Sequence, residues 1–232
     1  MVSLTAFILT GVPIVLQAQR SKVQNQPKYD KQKIHFGFLL GINVTDFYIK
    51  RSGNFNLSDS LYSVEPAKQT GFNLGIVSNL HLGNHFDLRF LPELSFAQRN
   101  LEYSLYINGV AAKKVVKKVE STFLNFPLEL KFKSQRINNY RLYVVAGGKF
   151  GIDMVSQAKV ENKDKEFVKL KRNDFGYTIG AGVDCHMELF KFAIELKMYQ
   201  GLNNMLVKDP SVYSRTIDKL NSKIFMVSFT FE

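Results

Sequence analysis

The sequence predicts an all-β fold, an eight-stranded antiparallel up-and-down transmembrane β-barrel. Three observations carry this. Eight stretches alternate with period two between apolar residues and small or polar ones, the spacing of strand side chains. The face opposite the apolar one mixes glycine with charges of both signs. The connections between stretches alternate long and short, as the two rims of a small membrane barrel require.

Composition bounds the alternatives. The 232 residues suffice for one closed sheet. Lys and Arg outnumber Asp and Glu 31 to 20. No basic block is interleaved with aromatics, so nucleic acid is not an expected partner. No apolar run reaches the roughly 18 residues of a membrane helix. A barrel escapes that test, because its apolar residues are diluted one in two. The single Cys185 excludes an internal disulfide and reads as a small hydrophobe within an apolar alternation.

Residues 1–19 read as a signal peptide. The apolar run Leu4 to Leu16 is too short to span a membrane and is followed by Gln17-Ala18-Gln19-Arg20. Residues 20–32 are polar, contain Pro27, and read as a flexible periplasmic lead-in. Residues 33–232 form the barrel.

The first strand, about 33–45, sets Ile34, Phe36, Phe38, Leu40, Ile42 and Val44 against His35, Gly37, Leu39, Gly41 and Asn43. The second, about 70–82, sets Phe72, Leu74, Ile76, Leu80 and Leu82 against Gly71, Asn73, Gly75, Asn79 and His81. A tight turn, Gly83-Asn84-His85, opens the third, about 86–98, with Phe86, Leu88, Phe90, Leu94 and Phe96 opposite Asp87, Arg89, Glu93 and Ser95. The apolar phase then moves to Leu101, Tyr103, Leu105 and Ile107, which predicts a bulge near Arg99-Asn100. Asn108-Gly109 is a type I′ hairpin signal, so this hairpin continues beyond the membrane.

The fourth strand, about 120–133, sets Leu124, Phe126, Leu128, Leu130 and Phe132 against Asn125, Glu129 and Lys131. The turn 136–139 opens the fifth, with Leu142, Val144, Ala146, Phe150 and Ile152 opposite Tyr143, Gly147, Lys149, Gly151 and Asp153. The sixth, about 173–187, opposes Phe175, Tyr177, Ile179, Ala181, Val183 and Met187 to Gly176, Thr178, Gly180, Gly182, Asp184 and His186. After Glu188-Leu189 the seventh opposes Phe190, Phe192, Ile194, Leu196 and Met198 to Lys191, Glu195 and Lys197. The eighth ends the chain, with Phe225, Val227, Phe229 and Phe231 on one face, the kind of aromatic terminal strand that barrel assembly machinery reads. Long connections are expected at about 46–69, 99–119, 154–172 and 199–221, and short ones at 83–85, 134–139 and 188–190. An even strand number places both termini on the turn side, the periplasm.

The second face separates a membrane barrel from a soluble one. Glycine on a wet sheet surface is unfavourable and gains nothing. Inside a narrow lumen it leaves room for long charged neighbours. Arg89, Glu93, Glu129, Lys131, Lys149, Asp153, Asp184, Glu195 and Lys197 are then expected to pair across the lumen. Glu129 and Lys131, on one strand, are expected to reach partners on adjacent strands. The apolar face meets outer-membrane lipid.

Chemistry leaves little trace. The histidines, His35, His81, His85 and His186, all map to the turn rim, and the long connections hold none, which argues against a catalytic triad acting on surface lipid. Inward-pointing His35, His81 and His186 make a metal conceivable, but an interior polar network is the stronger reading. No catalytic, cofactor-binding or metal residues are assigned, and no cofactor is expected. Lys113, Lys114, Lys117 and Lys118, and Lys159, Lys163, Lys165, Lys169, Lys171 and Arg172, fall in or beside two long connections. They read as a solvated face or as contacts for lipopolysaccharide phosphates.

An ordered set of segments resembles the PorT family of Bacteroidota outer-membrane barrels: 35–43, 71–79, 86–92, 120–127, Arg136-Ile-Asn-Asn-Tyr-Arg141 and Lys219-Leu-Asn-Ser-Lys-Ile-Phe225. The resemblance runs over about 33–232. It implies a non-enzymatic role in the type IX secretion system, with other components of that system as partners. A lumen filled by side chains cannot pass folded cargo, which points to an accessory or assembly component. The alternatives are a generic structural or adhesive barrel and, further off, a lipid-modifying barrel enzyme.

Overall fold

The computed structural model describes residues 24–51, 61–107, 110–155, 170–207 and 217–232. The strands, in chain order, are β1 (Ile34–Arg51), β2 (Leu61–Ala67), β3 (Gln69–His81), β4 (Phe86–Phe90), β5 (Glu93–Ile107), β6 (Val110–Lys133), β7 (Tyr140–Asp153), β8 (Asn173–His186), β9 (Lys191–Gly201) and β10 (Ile217–Phe231). All pairings are antiparallel, and β1 bonds to both β10 and β3, so the sheet closes on itself. β4 and β5 share the partners β3 and β6, and β2 continues β3 along β5. The ring thus has eight staves, as predicted, two of them broken.

Proline causes one break. Leu91 donates its N–H to the Pro127 carbonyl at 3.1 Å, and Ile76 donates to the Pro92 carbonyl at 3.0 Å. Neither proline has an N–H with which to return the bond. Two neighbouring ladders therefore each lose a hydrogen bond at the same height. The other break marks the bulge, which lies one strand away from its predicted place. Phe72 faces Phe96 but Ala67 faces Asn100, so the extra residue belongs to the β2–β3 junction. Along β6, Arg99 and Asn100 stay in register, and the shift on that side comes between Leu105 and Tyr106.

Parts of three of the four expected long connections are strand. β1 runs on to Arg51, β2 begins at Leu61, and β10 begins at Ile217. β5 and β6 remain paired out to Ile107 and Val110, as the hairpin signal required, although Asn108-Gly109 itself lies outside the described residues. Alternation marks a strand only where its two faces meet different surroundings. Past the apolar belt the pattern changes face: Phe47 and Leu220 are buried, and the pairing continues without an outward apolar row. The short turns fall where predicted, between β3 and β4, β6 and β7, and β8 and β9.

The apolar face points outward. Phe36 is 69% exposed, and Phe38, Ile42, Phe72, Ile76, Leu128, Leu142, Phe175 and Leu196 are exposed with it. On β8 this outward row runs from Phe175 to Cys185, about the 9–11 residues with which a tilted strand crosses hydrocarbon. An apolar belt of this extent is not a surface for water.

Candidate functional site

Among the described residues, the lumen gathers most of the buried charge. Arg89, Glu93, Glu129, Lys131, Lys149, Asp153, Asp184, Glu195 and Lys197 all point inward and are buried, as parity predicted. Arg89 on β4 donates to Glu195 Oε2 at 2.7 Å, and β9 is diametrically opposite β4 in the ring. Lys131 on β6 reaches both oxygens of Asp184 on β8 at 2.8 Å. Lys197 on β9 bridges Glu195 at 2.9 Å and Glu129 on β6 at 3.3 Å. The partners of Glu129 and Lys131 thus lie two or three staves away, a correction to the expected adjacent-strand pairing. Staggered long side chains meet more readily across a narrow bore than along one wall.

The glycine face has a more specific use than leaving room for charge. A Cβ at Gly182 would stand 2.5 Å from the Tyr143 ring, and one at Gly176 would stand 2.7 Å from Tyr199. These glycines seat inward tyrosines. Lys131 Nζ lies 3.6 Å from the Tyr143 ring centroid, and Lys149 Nζ lies 3.7 Å from that of Tyr199. Ion pairs and cation–π contacts together cross the bore at successive heights. A cavity between Glu93, Glu129, Lys149 and Tyr199 measures about 20 Å³, room for about one water molecule.

The turn end is closed among the described residues. There residues 24–32, the polar lead-in of the sequence reading, lie across the mouth. Asn25 donates its N–H to Asn139 Oδ1 at 2.9 Å, and its carbonyl accepts from Arg136. Asp30 takes a bidentate pair from Arg141 at 2.8 and 2.9 Å. Tyr29, within a single 3-10 turn, stacks on His35 at 3.8 Å and donates to Glu232 Oε2 at 2.9 Å. Lys191 donates to the same carboxylate oxygen at 2.8 Å. Burial raises the Tyr29 phenol pKa and keeps it a donor. Burial also acts to raise the Asp30 pKa, but the hydrogen bonds and charge of Arg141 outweigh it and hold the carboxyl below its ordinary range. At the other end Asn204 Oδ1 accepts from the N–H groups of Leu206 and Leu220. Leu206 bridges Leu170, Met205 donates its N–H to the Leu220 carbonyl at 2.8 Å, and Leu170, Met205, Leu206, Ile217 and Leu220 are all buried.

The four histidines sit at the turn end, as expected. His81 Nδ1 is 2.8 Å from Asp87 Oδ1, and His85 Nδ1 is 3.0 Å from the Lys133 carbonyl. His35, His81 and His186 share a cavity of about 10 Å³ beneath Tyr29 and Asp30. No group of three or more His, Cys, Asp or Glu among the described residues is arranged to hold a metal ion. Of the basic connections, Lys171 and Arg172 are exposed, whereas the other lysine side chains lie outside the described ones. The signal-peptide residues 1–19 are also outside.

Sequence reasoning missed Asn25, Tyr29 and Asp30 at one end and Asn204, Met205 and Leu206 at the other. These residues stand in stretches without period, and their partners come from distant strands.

Residues 17–207 match the model of a family described as outer membrane protein beta-barrel domain. Solved structures similar to this chain include OprG from Pseudomonas aeruginosa, at 14% identity over 86% of this chain and 96% of that one, with a TM-score of 0.47. Neisserial surface protein A aligns at 8% identity over 86% and 98%, with a TM-score of 0.44. AlkL aligns at 12% identity over 92% and 94%, with a TM-score of 0.42. A search of the curated proteins finds no match.

Proposed function

Because the chain belongs to the outer membrane protein beta-barrel domain family, we propose that it is a non-enzymatic, non-conducting barrel required for protein secretion through the type IX system, as an accessory or assembly component. The observation that carries this reading is the blocked lumen. Arg89–Glu195, Lys131–Asp184 and Lys197–Glu129 cross it, and residues 24–32 cover the mouth at the turn end. A barrel so filled acts through its rims and lipid face instead of passing a solute.

The assignment to secretion rests on the resemblance to PorT. Its most distinctive segment, Arg136 to Arg141, supplies the Arg136, Asn139 and Arg141 side chains that hold the lead-in. In the proposed orientation both termini and this strapped mouth face the periplasm, where the remaining secretion components meet it. Outer-membrane lipid surrounds the belt, and exposed Lys171 and Arg172 are positioned for lipopolysaccharide phosphates.

The test is a deletion strain scored for export of cargo bearing the C-terminal signal. Secretion is expected to stop, with lipid composition unchanged. Export at the normal level refutes the secretion role and leaves a structural outer-membrane barrel.

A further inference from the structure

We infer that the mouth at the turn end is a binding site for a segment of a partner polypeptide in which an aromatic residue precedes a carboxylate. Tyr29-Asp30, in the strap formed by residues 24–32, is its built-in ligand. The site has two halves. Arg141 holds the Asp30 carboxylate through two bonds, at 2.8 and 2.9 Å. His35 stacks on the Tyr29 ring at 3.8 Å, Lys191 Nζ lies 4.7 Å from its centroid, and Glu232 Oε2 accepts from its hydroxyl at 2.9 Å. The planar fork of arginine matches a carboxylate, and an imidazole face beside an ammonium group suits an aromatic side chain. The other cations of this end are already engaged within the ring: Lys133 with Asp87, Lys131 with Asp184 and Lys191 with Glu232. Among the described residues, Arg141 takes its ion pair from the strap alone.

The strap fills this site imperfectly. Gln26 has a φ of 51°, in the left-handed region that L side chains disfavour, and its Oε1 is buried with no partner in the protein. Arg141 Nε and Glu232 Oε1 are likewise buried and unbonded. His186, 2% exposed, lines the cavity beneath Tyr29 and Asp30, and neither of its ring nitrogens is bonded. Buried polar groups are almost always paired. The mouth therefore offers donors and acceptors that the strap does not use, where the strap itself is strained. A segment with the same aromatic–acid pair and a better match to His186 and Arg141 Nε displaces it. The inference stands apart from the secretion reading, because it is a property of the mouth whatever process the barrel serves.

The experiment uses the full chain in lipid nanodiscs and a fluorescent peptide of residues 24–32, Gln-Asn-Gln-Pro-Lys-Tyr-Asp-Lys-Gln. In the unaltered chain the tethered strap competes at an effective concentration of about millimolar, so the peptide is expected to bind weakly. The double variant Tyr29→Ala, Asp30→Asn should free the strap, seen as faster amide hydrogen exchange over 24–32. It should bind the peptide about tenfold more tightly or better, with that competition removed. Peptides carrying alanine for the tyrosine or asparagine for the aspartate should each lose about tenfold in affinity or more. Adding Arg141→Gln to the double variant should remove binding while keeping the heat-induced gel shift of the folded barrel. Equal binding of the asparagine peptide overturns the carboxylate site, whether or not the Arg141→Gln chain folds. Failure of the peptide to bind the freed mouth overturns the proposal. So does equal binding to the two chains, which places the peptide elsewhere. Undiminished protection of 24–32 in the double variant also overturns it, because the strap is then held by more than the two side chains a ligand replaces.

Discussion

Arg89 and Glu195 hold the barrel across its full width, with both side chains wholly removed from solvent. Removing one partner of a buried pair leaves a bare charge, at a cost of about 3–5 kcal/mol. Arg89→Met should therefore lower the midpoint of the heat-induced gel shift sharply. The double variant Arg89→Met, Glu195→Leu should recover much of it, because a packed apolar pair is often as stable as a buried ionic one. A double variant no better than the single would show that Arg89 acts through other partners. The inward position of these residues was legible from parity alone. Their choice of partner was not, because which side chains meet across a bore depends on stagger between strands more than a hundred residues apart.

At the scale of elements, two ends of the chain meet at one mouth. Asp30 and Tyr29 tie the lead-in to Arg141 and Glu232. The folded carboxyl of Asp30 titrates below the ordinary value of about 3.9. A depressed folded pKa gives a contribution fully present above the unfolded pKa and lost as pH falls through the folded value. The strap should thus stay closed from pH 8 to about 5 and release below about 4. Fluorotyrosine NMR at Tyr29 reads this directly, and Asp30→Asn should abolish the acid step. A strap unchanged in Asp30→Asn would assign closure to Tyr29 and Asn25 instead. The terminal strand makes the other element-scale prediction. Phe231 stacks on Phe38 at 4.7 Å, and Phe192 packs against Phe229 and Phe231. Replacing Phe229 and Phe231 by serine should cut outer-membrane levels severalfold; normal levels in membrane fractions would show that assembly does not read this strand.

For the whole molecule, the expected electrical behaviour is silence. In planar bilayers the full chain should show no steady conductance at physiological salt, since crossed ion pairs and cation–π contacts fill the bore at successive heights. A stable open level would refute the blocked lumen and turn the secretion reading toward a transport role. Spin labels extend the test to the lipid face: Ile179 should report hydrocarbon, and Glu129 should not.

The amino-acid order alone determined the eight staves, the antiparallel ring, the three tight turns and the face each inward charge would occupy. These follow from period-two alternation, which is local and survives wherever a strand separates two unlike media. The Asn108-Gly109 signal already carried β5 and β6 past the membrane. Only the tertiary structure decided that β1 runs on to Arg51 and that β10 begins at Ile217, since past the belt Phe47 and Leu220 turn inward and the outward apolar row ends. It alone placed the bulge at the β2–β3 junction, where the mismatch between neighbours lies. It also showed residues 24–32 as a strap, because Asn25, Tyr29 and Asp30 take partners more than a hundred positions away, which no local pattern announces.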